Sequence, residues 1–212
     1  NTIVVLTTDH GIDFPRAKST LLDAGLETFL LMRFPRGGWL PGRRVPEMVS
    51  NVDILPTLLD AAGIAAPDNL AGCSLTPLLR GEPFAPRERI FAEKTCHDTY
   101  DPSRAIRTPT HKYIRHFEVN IFQDLRLATE TRRHYLRDDW RRLHHEELYD
   151  LRSDPHERVN LATDPAQASL LKSLRYELLQ WMKHTNDPLL HGPMPSPHYA
   201  GLLRELRETA PA

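Results

Sequence analysis

An aspartate and a histidine, Asp9 and His10, stand side by side where an apolar run ends and just before Gly11. The run, residues 3–6, is rich in β-branched residues and predicts a strand buried on both faces, as in a parallel sheet. Open α/β sheets bind their ligands beyond the carboxyl ends of such strands. Carboxylate oxygen and neutral imidazole nitrogen are both good metal ligands, and a glycine lets the chain turn so that they converge. The pattern predicts a metal site at Asp9 and His10, against the simpler alternative of a loop aspartate beside an incidental histidine.

A lysine is the second candidate for chemistry. Lys18 opens the junction between a polar loop and a short helical segment, nine residues after Asp9. A cation in that position could return to the end of the strand and hold an anion there. The alternative is an ordinary surface lysine, which is the commoner situation.

The elements before about residue 87 alternate between buried runs and helices, which is typical of an α/β fold. Residues 28–34 form a second apolar run that ends in a loop, and residues 18–25 fit one or two helical turns closed by Gly25. Asp53 is expected to cap the start of a longer helix. The inner face of that helix is expected to consist of Ile54, Leu55, Leu58 and Leu59.

The pattern changes after about residue 88. Several short, part-polar runs predict an antiparallel sheet with one face in water. Residues 120–146 are charged and predicted helical, with His144 and His145 on a solvated face. Asp164 and the proline after it predict the start of an amphipathic core helix over residues 166–183. The short runs are residues 89–92, 104–107, 113–115 and 148–150.

Composition excludes several classes of function. The 27 Lys and Arg residues balance 28 Asp and Glu residues, so charge gives no argument for binding nucleic acid or a membrane surface. The apolar runs are too short to span a bilayer, and no signal-peptide pattern is present. The two cysteines, Cys73 and Cys96, are predicted to stay unpaired. The compartment is left open.

Longer stretches of the sequence resemble a known family. TTDHGIDFPRAKSTLLDAGLETFLLMRFPRG, MVSNVDILPTLLDAAGI, AGCSLTPLLRGE, AIRTPTHKYIRHF and EELYDLRSDPHERVNLA occur in the order found in sulfatases of the alkaline phosphatase superfamily. Together they cover nearly the whole chain. The GIDFPRAK run and the C-terminal stretch resemble the branch of the N-sulfoglucosamine sulfohydrolases.

The resemblance implies roles for the three candidate residues. Asp9 matches the aspartate of the family's C-terminal metal motif, and His10 falls where many sulfatases have Asn and others His. Lys18 matches the basic residue that contacts the sulfate. The expected cofactor is a divalent metal, with Ca²⁺ first, and Mn²⁺ or Zn²⁺ as alternatives because imidazole suits them better than it suits calcium.

The resemblance also indicates what these residues lack. Sulfatases use a formylglycine made from Cys or Ser in a C-x-P-x-R motif of the N-terminal half, and no such motif is present here. The nearest stretch, residues 100–104, reads YDPSR with tyrosine in the nucleophile position. We therefore expect the chain to be the C-terminal portion of a longer enzyme and to show no turnover alone.

The implied fold is α/β. Residues 1–87 are expected to form the C-terminal part of an alkaline-phosphatase-like, mostly parallel sheet domain. Residues 88–212 are expected to form a smaller subdomain with an antiparallel sheet, an amphipathic helix and a tail. The motif over residues 148–160 is interpreted as structural. His97 and Arg104 are weaker candidates for the substrate rim, with loop hydrogen bonds and a salt bridge as the alternative.

The implied function is hydrolysis of sulfate esters or N-sulfamates, with a sulfated small molecule or glycan as the partner. Two alternatives stay open. One is a portion of a phosphonate monoester or phosphodiester hydrolase of the same superfamily, since these carry Asp-His at the same place. The other is a non-catalytic binding remnant. The oligomeric state is not predicted.

Overall fold

A computed structural model describes residues 1–14, 16–96, 100–118, 145–195 and 198–208. The strands are β1 Val4–Thr7, β2 Leu30–Arg33, β3 Ile90–Cys96, β4 Tyr100–Arg107, β5 His111–His116 and β6 Glu146–Asp150. The helices are α1 Asp23–Leu26, α2 Ile54–Ala61, α3 Thr76–Arg80, α4 Ala168–His184 and α5 Tyr199–Glu208. Short 3-10 helices occur at Pro35–Gly37, Asn51–Asp53, Pro165–Gln167 and Pro188–His191.

The chain divides into two compact units. The first unit contains Asn1–His10 and Glu27–Ile90, and the second contains Gly11–Leu26 and Phe91–Ala212. The second unit therefore takes in the segment of residues 11–26 as well as the C-terminal half. The domain limits predicted at residues 87 and 88 stay a prediction.

In the first unit, β1 and β2 form a two-stranded antiparallel sheet in which Val4 lies opposite Arg33. The prediction that the first strand is buried on both faces is wrong for this chain, because Val4, Leu6 and Leu31 are all exposed. A two-stranded ribbon offers each strand one neighbour, and no described layer covers these side chains. Both strands nevertheless form where the apolar runs predict them.

The helix predicted after Asp53 is present as α2 and has Asp53 at its N-cap position, but the Asp53 side chain does not cap α2 and the inner face differs from the prediction. Asp53 forms a capping box around the preceding 3-10 turn, in which the Ser50 amide donates to its carboxylate at 2.8 Å. The residues of α2 that are fully buried are Pro56 and Thr57, whereas Leu55 is exposed. The Thr57 hydroxyl accepts from the Leu75 amide at 2.9 Å, which explains why a polar residue is buried there.

The core of the second unit lies between its sheet and α4. The strand order is β3-β4-β5-β6, with β4, β5 and β6 antiparallel. The predicted cap is confirmed, since the Asp164 carboxylate accepts from the Ala166 amide at 2.9 Å, but it caps the 3-10 turn Pro165–Gln167, after which α4 begins at Ala168. The predicted leucine face is confirmed, because Leu171, Leu174, Leu178 and Met182 pack against Ile106, Tyr113 and Leu148.

Both faces of this sheet are covered, so the expectation of one wet face is wrong. Leu21 and Leu22 of the 11–26 segment pack against Ala105, Ile114 and Tyr149 on the face opposite α4. Burying each such side chain contributes about 1.5–3 kcal/mol. The contact holds the segment that carries Lys18 against the sheet.

Two further predictions concern other parts of the chain. The charged stretch of residues 120–146, predicted to be helical, lies outside the described residues up to and including His144; its last residue, Glu146, begins β6 and is not helical. No helix in the described part of the chain is long and apolar enough to cross a membrane.

Candidate functional site

Asp9 and His10 lie just beyond the end of β1, separated from it by Thr8. The His10 Nε2 atom lies 3.7 Å from Asp9 Oδ1, and the Asp9 side chain is 90% exposed. A carboxylate oxygen and an imidazole nitrogen are therefore presented together at the surface of the first unit. This donor pair suits Mn²⁺ or Zn²⁺ and, through the carboxylate, Ca²⁺. The described residues contain no group of three or more His, Cys, Asp or Glu side chains that could hold a metal ion.

Gly11 is needed for a close approach within the second unit. Its amide donates to the Gly25 carbonyl at 2.8 Å, and an added Cβ would lie 2.0 Å from the Ala24 carbonyl oxygen. No larger residue fits such a gap without moving backbone. The sequence predicted that Gly25 closes a helix, and this is wrong, because Gly25 lies buried inside α1.

Lys18 lies in the loop between Gly11 and α1. Its amide donates to the Ile12 carbonyl at 3.1 Å, and its Nζ atom lies 3.8 Å from Asp13 Oδ2. Its side chain is partly exposed, and that of Asp13 is mostly exposed. A surface ion pair of this length is weak, so the ammonium group can exchange Asp13 for another anion.

The backbone on both sides of Lys18 adopts a left-handed conformation. Arg16 has φ 59° and Ser19 has φ 67°, values that residues other than glycine rarely take. Each of these residues is held by a distant partner. Arg16 Nη2 donates to the Glu157 carbonyl at 2.6 Å, and Lys94 Nζ donates to the Ser19 carbonyl at 2.7 Å.

A buried ionic cluster attaches the same segment to the sheet. Lys112 in β5 is fully buried, lies 2.7 Å from Glu157 Oε1 and also pairs with Asp23 in α1. The Asp23 amide donates to Glu157 Oε2 at 2.6 Å. Lys112 Nζ and Glu157 Oε1 have no partner at a hydrogen-bonding angle among the described residues, so their contact is an ion pair. Burial raises the pKa of Glu157, and the Lys112 cation opposes that rise.

This cluster gives the C-terminal motif over residues 148–160 its structural role. Glu157 has φ 54° and is almost completely buried, although glutamate normally lies at the surface. The sequence interpretation overlooked both Glu157 and Lys112. The period-2 alternation of β5 could have identified Lys112, because it points to the same face as the buried Ile114.

Arg104, a weak candidate for substrate contact, has a structural role instead. Its side chain is 1% exposed and makes a two-pronged contact with Asp187, with Nε 2.5 Å from Oδ2 and Nη2 3.0 Å from Oδ1. Burial is the largest single influence on the pKa of Asp187 and works to raise it, but the hydrogen bond and charge of Arg104 and the hydrogen bond from the Leu189 amide together lower the pKa. Arg104 therefore has no surface left for a substrate. The other weak candidate, His97, lies outside the described residues.

The YDPSR stretch that resembles a nucleophile motif lies in β4 and is also structural. The Ser103 hydroxyl lies 2.9 Å from His116 Nδ1, and His116 Nε2 lies 2.9 Å from Glu147 Oε1. These residue types occur in hydrolase triads, but Ser103 is completely buried and cannot meet a substrate. Burial is the largest single influence on the pKa of Glu147 and works to raise it, but His116, the Tyr149 hydroxyl and the charge of Arg16 together lower the pKa.

Cys73 and Cys96 do not form a disulfide, as predicted, and both are exposed. The Cys73 amide donates at 2.9 Å to Asp53, whose buried carboxylate also pairs with Arg87. Burial alone would raise the pKa of Asp53, but the hydrogen bonds from Arg87, Cys73 and Ser50 hold it below the usual value. This cluster stabilises the first unit and carries no chemistry.

The sequence profile of the family described as "N-sulphoglucosamine sulphohydrolase, C-terminal" matches residues 16–126, a little over half of the chain and including Lys18. The chain belongs to this sulfatase family. Among its relatives, human N-sulphoglucosamine sulphohydrolase is 32% identical over 91% of this chain and 44% of its own length. The predicted family is thus confirmed. The chain spans about two-fifths of the length of the curated relatives it matches.

Solved structures of sulfatases share the fold. A 2-O GAG sulfatase superposes with a TM-score of 0.69 at 29% identity, over 89% of this chain and 38% of its own. The phosphonate monoester hydrolase of Agrobacterium radiobacter superposes with a TM-score of 0.63 at 25% identity, over 86% of this chain and 35% of its own. The predicted fold class, the alkaline-phosphatase-like fold of the sulfatases, is confirmed.

Proposed function

We propose that this chain supplies a sulfate-binding cation and metal ligands to an enzyme that hydrolyses sulfate esters or N-sulfamates of a sulfated sugar. The observation that carries the proposal is the family match through the segment that contains Lys18. The similarity to human N-sulphoglucosamine sulphohydrolase supports a sugar sulfamate or sulfate ester as the substrate class.

Lys18 binds the sulfuryl group in this proposal. Its partly exposed ammonium group, paired only weakly with Asp13, is available to neutralise charge that builds on the sulfuryl oxygens in the transition state. An ammonium group on a flexible stem is a point charge, which suits a tetrahedral anion with several equivalent oxygens. The left-handed backbone at Arg16 and Ser19 fixes the position of the Lys18 backbone, from which the side chain extends.

Asp9 and His10 would hold a divalent metal, with Ca²⁺ first and Mn²⁺ or Zn²⁺ favoured by the imidazole. Such an ion, when bound, polarises the sulfate oxygens and lowers the pKa of a coordinated nucleophile. The remaining ligands and the formylglycine nucleophile are proposed to come from outside these 212 residues. This chain by itself is then expected to show no turnover.

Replacing Asp9 by asparagine in the whole protein should lower metal occupancy, because a neutral amide is a weaker ligand than a carboxylate. Elemental analysis of purified protein, by mass spectrometry after dialysis, measures it. Asp68→Asn, which changes an exposed aspartate of the same unit, is the matched control and should keep full occupancy. Equal metal content in the Asp9→Asn and control proteins would exclude Asp9 as a ligand.

A second candidate function is hydrolysis of phosphonate or phosphate esters. His10 favours it, and so does the structural likeness to a phosphonate monoester hydrolase. The two candidates are separated by comparing kcat/KM of the whole protein for paired substrates, a 4-nitrophenyl sulfate or N-sulfoglucosamine against a phenylphosphonate ester. We expect the sulfated substrates to be preferred. A preference for the phosphonate ester assigns the second function, and hydrolysis of neither indicates a binding protein.

A further inference from the structure

The loop that carries Lys18 is held in an unfavourable backbone conformation. Arg16 and Ser19 both have positive φ, at 59° and 67°, and neither is a glycine. Left-handed backbone at such residues costs free energy and persists only where surrounding contacts impose it. Two of these residues within four positions, on either side of one lysine, indicate that the backbone at Lys18 is imposed by its surroundings.

The contact on the C-terminal side comes from the sheet. Lys94 in β3 donates from Nζ to the Ser19 carbonyl at 2.7 Å and pairs with Asp101 in β4. The side chains of Lys94 and Asp101 are 13% and 8% exposed. A nearly buried lysine is uncommon unless it is paired. The ammonium group of Lys94 has three N–H donors, so it can pair with the Asp101 carboxylate and also donate to the Ser19 carbonyl.

The contact on the N-terminal side comes from the C-terminal motif. Arg16 donates from Nη2 to the Glu157 carbonyl at 2.6 Å, and Glu157 is itself fixed by the buried Lys112. Between the two contacts, Ala17 is buried, and an added Cβ on Gly25 would lie 2.2 Å from its carbonyl oxygen. The Lys18 side chain in this stretch is partly exposed and pairs weakly with Asp13, at 3.8 Å.

We propose that Lys94, paired with Asp101, and Arg16 are positioning residues that fix the Lys18 backbone so that its ammonium group meets the sulfuryl oxygens. This inference rests on the proposed role of Lys18 in binding sulfate. Neither residue needs to touch the substrate. Since a misplacement of about 1 Å at a catalytic group can lower the rate about 100-fold, fixing the backbone here affects turnover.

The test is a double-mutant cycle in the whole protein. Lys94→Met is combined with Asp101→Asn, so that no unpaired charge is left buried, and kcat/KM for a sulfated substrate is measured with and without Lys18→Ala. We expect the pair variant to lower kcat/KM about 10- to 100-fold with Lys18 present, and to cause no further loss when Lys18 is already alanine. Lys172→Met, at an exposed lysine of α4, is the control and should change neither value.

Amide hydrogen exchange of the peptide covering residues 16–22 separates this inference from the proposed function. We expect faster exchange in the pair variant. Unchanged exchange with unchanged kcat/KM, or a loss that adds in full to that of Lys18→Ala, overturns the positioning role. If Lys18→Ala alone keeps full turnover, the proposed function of Lys18 fails instead. Where the pair variant does not fold, Arg16→Gly releases the other contact, since glycine adopts φ 59° without strain, and the same cycle decides.

Discussion

Replacing Lys18 by alanine in the whole protein should lower kcat for a sulfated substrate by about 10²–10³ and leave the fold intact. The loss is expected because a preorganised cation at the sulfuryl oxygens acts mainly in the transition state, where their charge is greatest. The fold should survive because the Lys18 side chain is partly exposed and its ion pair with Asp13 is long, at 3.8 Å. Steady-state kinetics and the thermal unfolding midpoint measure the two effects.

Two controls sharpen the Lys18 experiment. Lys172→Ala removes an exposed lysine of α4 and should leave kcat unchanged. Lys18→Arg keeps a cation and should recover part of the lost turnover, because arginine also binds oxyanions. Turnover of Lys18→Ala equal to that of the unmodified protein would mean that Lys18 does not contact the sulfuryl group.

The largest effect on stability is expected for Lys112→Met. Lys112 is completely buried between Asp23 and Glu157, so its removal leaves a buried carboxylate without its cation. Breaking a buried ion pair in this way costs about 3–5 kcal/mol of the free energy of unfolding. Urea unfolding of the whole protein, followed by far-UV circular dichroism, measures the change in its midpoint.

The matched controls for Lys112→Met are one exposed lysine and one double variant. Lys183→Met, at the exposed C-terminal end of α4, should leave the midpoint unchanged. Adding Glu157→Gln to Lys112→Met removes the uncompensated charge and should recover part of the loss. A Lys112→Met protein as stable as the Lys183→Met protein would show that the buried ion pair does not hold the 11–26 segment.

Sequence periodicity was sufficient to predict the sheet and the long helix of the second unit. The leucines of α4 recur at helical spacing, and Asp164 precedes a proline, so local rules decide both its face and its start. The strands β4, β5 and β6 likewise follow from short, part-polar runs. The helical spacing and the strand runs are local patterns that the sequence records directly, although the pairing of β5 with β6 joins residues far apart in the chain.

Burial could not be predicted as well, because it depends on segments far apart in the chain. Nothing near β5 indicates that Leu21 and Leu22 cover the face opposite α4. In the same way, the apolar run of β1 predicts two buried faces, whereas Val4 and Leu6 are exposed in this chain. An apolar run indicates that both faces of a strand can be buried, but it does not indicate whether another segment of the chain covers them.

In the candidate site, likewise, the sequence predicted features set by adjacent residues and missed those set by residues far apart in the chain. The sequence placed Asp9 and His10 together because they are adjacent, and their 3.7 Å separation agrees with that. It gave no sign that Lys94 and Glu157, distant in sequence, hold the Lys18 loop. It named Arg104 as a weak candidate for the substrate rim with a salt bridge as the alternative, but could not identify the salt-bridge partner, Asp187, which lies much later in the chain. Charged residues reveal their partners only when the fold is known.

A crystal structure of the whole protein with a bound sulfated sugar tests most directly whether this chain provides the sulfate-binding cation of a sulfatase. The measurement is the distance between Lys18 Nζ and the nearest sulfate oxygen. We expect a hydrogen-bond distance, about 2.7–3.2 Å, with the loop of residues 16–19 in the conformation described above. A well-ordered sulfate group bound elsewhere, with Lys18 still paired to Asp13, would contradict the proposed role.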